Sequence, residues 1–281
     1  MTMLTVNYRY AGRYKPSYLS NPEIEAVAKS VRAQLVGDNV DALPLARLNE
    51  ISRLRVNGLD FELWISLDNP VTDRQTGETV CGLCEIDPDA GTEVALLFVS
   101  PPHAGMTDEL VLSTFGHELG HALFEAPGWI ADSKQGPGLF GSAVATNRQA
   151  YRTTTANADH LSKVGSAAAA SSLSKEGDRD RDMRFAEYRA NEFMGSLLVP
   201  RDRLTSAVLA IASNYDVKMT HGPCLLTGEP PSSVVLMADS AMGKFDLDNL
   251  QKALGKQFGV HGRFIEVRMD RYGMLGSSRA N

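Results

Sequence analysis

The chain has 281 residues, 43% of them hydrophobic and 22% charged, a length for one large domain or two small ones and an ordinary globular composition. A net charge of -6 argues against a bulk electrostatic grip on nucleic acid, which needs clustered Lys and Arg. Three cysteines (Cys81, Cys84 and Cys224) are too few for a disulfide framework. No stretch approaches the ~20 apolar residues of a membrane span, and Met1–Tyr10 holds no run of signal-peptide length, so a cytoplasmic location is expected.

In chain order, residues 1–19 carry Tyr8, Tyr10, Tyr14 and Tyr18 but no helical or strand period, and read as extended and irregular. Asn21-Pro22-Glu23 predicts a helix start capped by Asn21, with Ile24, Val27, Val31 and Leu35 at helical spacing and Gly37 at the end. Strands are expected over 60–67, where Phe61, Leu63, Ile65 and Leu67 alternate, over 80–86 and over 93–99. Thr107-Asp108-Glu109 opens a helix running to about Phe124. Residues 133–182 are rich in Gly, Ser, Ala and Thr and read as a flexible insertion or lid, with one short Ala-rich helix near 166–172. A strong helix resumes near Asp182 and stops at Pro200. Residues 201–240 are mixed, and 245–275 look mainly helical. The expected division is a domain over 1–240 and a helical segment over 241–281.

His117-Glu118-Leu119-Gly120-His121 is an HExxH motif. Two His at i and i+4 stand roughly 40° apart around a helix and can bind one Zn²⁺. Glu118 sits one step round, where it cannot easily share the metal but can reach a water beside it. Leu112, Phe115, Leu119, Ala122 and Leu123 form a stripe centred opposite the His pair, which predicts that the stripe faces the core and the His pair a cleft. A catalytic zinc needs a third protein ligand. Two turns on stands Ala126-Pro127-Gly128, not His, so that ligand must come from elsewhere. Glu187 is the leading candidate, because Phe193, Met194 and Leu197 can pack its helix on the first and a carboxylate among apolar neighbours is costly unless it binds a cation. Glu192 is the rival. Asn191, one turn after Glu187, is a candidate for orienting a ligand.

Phe115-Gly-His117-Glu-Leu-Gly-His121, then Glu187-Tyr-Arg-Ala190-Asn191-Glu-Phe193 and Leu197-Leu-Val-Pro200, resemble the ImmA/IrrE metallopeptidases. Met194 stands where that family usually has Ala. Leu254-Gly-Lys-Gln-Phe258-Gly-Val-His261 and Phe264 to Gly273 are similar to the family's tail, and the order of elements fits from about residue 22. The resemblance implies an α+β, minimal zincin-like fold, a small twisted sheet packed on helices that carry HExxH and a downstream Glu. It implies the ligand set His117, His121 and Glu187, and cleavage of regulatory proteins such as repressors. The gap between HELGH and Glu187 looks longer here than in the family.

In the expected mechanism Zn²⁺ lowers the pKa of its water and Glu118 is the general base. Tyr151, His160, Arg184 and Tyr188 are the candidates for stabilising the oxyanion. Cys81-Gly-Leu-Cys84 lacks the second pair a structural zinc needs and reads as two strand or turn cysteines; Cys224 could in principle cap the zinc as a thiolate. Gly259-Val260 could be the turn of a helix-turn-helix, though the family tail accounts for it better. The leading expectation is a metalloendopeptidase acting on a protein partner, a transcriptional regulator, with neither membrane nor nucleic acid involved. The alternatives are a non-cleaving zinc-binding or DNA-associated module, and a peptidase held latent by the insertion.

Overall fold

The structure is a computed structural model that describes residues 2–37, 39–72, 77–86, 93–134, 150–153, 178–220, 234–238 and 241–276, with backbone alone at 150–153, 178–180 and 220. His160, Cys224, the Ala-rich stretch and the side chain of Tyr151 lie outside the described residues.

It is an α+β chain. Strand β1 (Thr2–Val6) is followed by helices α1 (Asn21–Val36) and α2 (Leu45–Asn49), then strands β2 (Ile51–Val56) and β3 (Leu59–Ser66). The short β4 (Val71–Thr72) and β5 (Thr79–Val80) precede β6 (Gly82–Ile86) and β7 (Val94–Val99). Helices α3 (Asp108–Phe124) and α4 (Ala126–Ser133), strand β8 (Ala150–Thr153) and helices α5 (Asp178–Leu198) and α6 (Arg201–Ile211) come next. A hairpin of β9 (Lys218–Thr220) and β10 (Val235–Met237) leads to α7 (Ala241–Phe258) and α8 (Gly262–Arg271). The main sheet has the order β1-β2-β3-β7-β6-β8; β1 and β2, and β3 and β7, are parallel, and the other pairs are antiparallel.

Alternation sets the two faces of that sheet. In β3, Phe61 and Leu63 are buried while Glu62 and Trp64 are exposed. Strand β6 is buried along its whole length, because α3 covers one face and a small cluster of Val71, Val80, Leu83 and Phe98 covers the other. The three strands expected between 60 and 99 are present. Two readings are corrected. Residues 1–19 are not all irregular: β1 adds to the sheet through Leu4 and Val6, two apolar positions being too few to show a period. Residues 133–182 are not wholly a flexible insertion or lid: β8 pairs with β6 inside the main sheet, and α5 begins already at Asp178.

Helix α1 starts one residue earlier than its sequence suggests. Glu23 accepts hydrogen bonds from the Ser20 backbone N–H and hydroxyl, both at 2.8 Å, which makes Ser20 the cap and frees Asn21 for another partner. Helix α3 is capped as expected, Thr107 Oγ1 accepting from Leu110 N. The C-terminal helices are packed onto the rest. Arg268 of α8 is buried against Glu192 at 2.9 Å and Ser196 at 3.0 Å, and the Tyr272 hydroxyl donates to Val199 O at 2.9 Å.

Among the described residues helices α3 and α5 pack most extensively, and Gly120 permits their close approach. A Cβ at Gly120 would stand 2.9 Å from Ala190 Cα, a backbone atom that cannot turn aside. Gly120→Ala is expected to cost about 1–3 kcal/mol of stability by forcing the helices apart, despite the better helix propensity of Ala. Chemical denaturation beside wild type checks this; an unchanged midpoint would show that the contact has room to give.

Candidate metal centre

The buried stripe predicted for α3 is real, but the cleft opposite it is not open. From Val111 to Phe124 every residue of α3 is buried, because α5 lies over the His face. Phe193 of α5 stacks edge-on against Phe124 with ring centroids 5.8 Å apart, and Met194 packs over Gly116. Beyond the end of α3, Arg189 of α5 pairs with Glu125 at 2.6 Å, both largely buried. These contacts fix the rotation of α5, so that Glu187 and Asn191 come to lie over the His pair.

Three donors converge there. His117 Nε2 is 3.4 Å from Glu187 Oε2, His121 Nε2 is 3.5 Å from Glu187 Oε1, and the two Nε2 atoms are 3.0 Å apart. Ligands of a tetrahedral ion at about 2.0–2.2 Å stand roughly 3.3–3.6 Å from one another. Two edges of the triangle fit without adjustment, and the third needs the imidazoles to part by a few tenths of an ångström. Among the described residues these three form a group of donor atoms able to hold a metal ion. His117 and His121 are almost fully buried, whereas the Glu187 side chain is 35% exposed and marks the solvent side of the site.

Asn191 accepts from His117 Nδ1 at 3.0 Å. That bond fixes the tautomer: with its proton on Nδ1, a neutral His117 turns the Nε2 lone pair towards His121 and Glu187. Glu118 is buried beside β6, its Oε1 and Cγ filling the place where Gly82 would carry a side chain. It stays outside the convergent donors, yet its charge reaches His117.

The electrostatics separate the two imidazoles. Burial drives His121 down to about 4, so it is neutral at physiological pH. Burial also works against a charged His117, but Glu187, Glu118 and Asn191 together outweigh it and raise its pKa above the ordinary value. Glu187 is held well below the carboxylate range, as the hydrogen bonds from both His outweigh its burial. His117 must therefore give up a proton when a metal enters. Metal affinity is expected to fall with decreasing pH by up to about tenfold per unit once pH is below the His117 pKa. Calorimetric titration in two buffers of different ionisation heat should show nearly one proton released at mildly acidic pH and fewer as pH rises. A heat independent of buffer would contradict this assignment of the proton.

The other sequence candidates fall elsewhere. Glu192 is no ligand to this site: it is committed to Arg268, with Arg271 at 3.8 Å, which the sequence could not reveal because those partners lie far down the chain. Tyr188 faces α1, its hydroxyl bonded to Asn21, with the Arg271 guanidinium 5.7 Å above its ring. Arg184 stands one turn before Glu187 on the same side of α5 and is half-buried. Cys84 in β6 and Cys81 just before it are buried; burial, then the Glu118 charge, pushes both thiols up, as for inert strand cysteines.

No protein-family model and no curated protein sequence matches this chain. Among the described residues no helix is long and apolar enough to cross a membrane.

Proposed function

We propose that this chain is an intracellular zinc-dependent metalloendopeptidase of the ImmA/IrrE kind, with a zincin-like fold, cleaving a regulatory protein. The observation that carries the reading is the convergence of His117, His121 and Glu187 with Glu118 next along the same helix. A site that served only to hold a metal would have no use for that extra buried carboxylate, which costs free energy to desolvate.

His117, His121 and Glu187 would hold the ion, and the donor set of two imidazoles and one carboxylate suits zinc. The ion would supply Lewis acidity at the scissile carbonyl and a lowered pKa for water. Glu118 would take the proton of the attacking water on its carboxylate and pass it to the leaving amine. Asn191 would keep His117 in register through Nδ1. Of the candidates for the oxyanion, Arg184 is on the donor face of α5, while Tyr151 and His160 stay open.

Of the basic residues of the tail, Arg268 is buried against Glu192, with Arg271 3.8 Å from the same carboxylate, which withdraws these two from a DNA-binding face. The test is a comparison of new protein N-termini in cells expressing wild type or Glu118→Gln. A terminus that appears with wild type alone, reproduced with the purified pair, would identify substrate and bond. No such terminus, from a protein known to carry zinc, would favour the non-cleaving alternative.

A further inference from the structure

Strand β6 comes up against Glu118. At its first residue, Gly82, a Cβ would meet Thr114 Cγ2 at 2.5 Å and Glu118 Oε1 at 2.8 Å. An extended backbone on the outer side of β6 runs directly beside the residue that meets this carboxylate, as Val99 of β7 does on the inner side. In the structure that place is taken by the chain itself. Strand β8 pairs antiparallel with β6, Thr153 opposite Gly82, Arg152 opposite Leu83, Tyr151 opposite Cys84 and Ala150 opposite Glu85. Helix α3 packs against β8 as well as β6.

Two further facts set β8 apart from the other strands. Every other strand of this sheet precedes α3 in the chain, and β8 alone follows it. It is also short, four residues, and among the described residues is the last strand on its side of the sheet. A ladder of that length is held by few hydrogen bonds, and its local opening costs far less than unfolding the sheet. Main-chain pairing of this kind is largely indifferent to sequence, so another extended polypeptide can make the same bonds.

We propose that β8 is an internal occupant of the β6 edge, an autoinhibitory strand that an extended segment of the protein substrate must displace before it reaches Glu118. The inference rests on the peptidase reading for its consequence, but the occupancy is a statement about backbone pairing. Substrate and β8 compete for one row of N–H and C=O groups. The peptidase is thereby slow towards compact proteins and short peptides, and selective for a partner that can offer an unpaired extended segment.

The test uses the full chain with Tyr151→Pro and Arg152→Pro, made singly and together. In an antiparallel ladder successive N–H groups point alternately towards and away from the neighbour, so one of the two single prolines removes a bond to β6 and the other does not. Hydrogen exchange at Gly82–Ile86 should quicken by at least about tenfold in the double variant and in one single variant only. That asymmetry distinguishes edge opening from general unfolding, which would affect both singles alike. In a Glu118→Gln background, a fluorescent peptide spanning residues 147–156 should bind the double variant and not the unaltered strand. Unchanged exchange in all three variants would overturn the inference. So would quickened exchange without peptide binding, because the edge would then be uncovered but unable to accept a backbone. Neither readout requires metal or cleavage, so failure here is separate from failure of the peptidase reading, which metal content decides.

Discussion

Glu187→Ala is expected to weaken metal binding by more than about 100-fold, the loss already reached when a mere partner of a ligand is removed. The carboxylate is the one anion among three donors, with an oxygen 3.4–3.5 Å from each imidazole nitrogen. Two neutral imidazoles one turn apart leave the ion under-coordinated and its charge unbalanced. The fold should survive, because the side chain is 35% exposed and its truncation opens no closed cavity. Asn191→Ala provides the graded comparison: it leaves all three donors and removes only the anchor of His117 Nδ1, and should cost about 10–100-fold in affinity. Competition with a zinc chelator measures both. Full affinity in Glu187→Ala would remove Glu187 from the ligand set.

Glu118→Gln separates binding from chemistry. The amide has the shape of the carboxylate and can occupy the same buried place beside Gly82, so zinc content and thermal unfolding should match wild type. Cleavage of an identified substrate should drop by about 10²–10⁴-fold, the contribution of a positioned general base. Retained cleavage would assign the base to another residue. Loss of zinc in this variant would place Glu118 among the ligands.

What the sequence discloses about the site follows from how local the information is. His117, Glu118 and His121 lie on one helix, and a helix turns spacing into geometry without help from the rest of the chain. Glu187 could be named because Phe193, Met194 and Leu197 define which side of α5 packs on α3, and Glu187 and Asn191 then follow from the same periodicity. The choice between Glu187 and Glu192 was a matter of helix rotation plus a distant partner, Arg268, that no local pattern announces. The cap of α1 is ambiguous in sequence for a similar reason: Ser20 and Asn21 both suit the position, and the bonds from Ser20 to Glu23 decide it. Strand β2 has apolar residues at 51, 54 and 56, an interrupted alternation, and β1 offers only Leu4 and Val6, too few to declare a period of two. Strand β8 pairs with β6 through its backbone, and Ala-Tyr-Arg-Thr carries no pattern that would place it there.

In the folded protein His117, His121 and Glu187 would hold one metal ion. Elemental analysis of the purified chain, wild type beside His121→Ala, tests it most directly. About one zinc per chain in wild type and none in the variant is the expected result. No metal in wild type, even after zinc is supplied, would overturn the metal site and leave these three side chains as a buried hydrogen-bonded cluster.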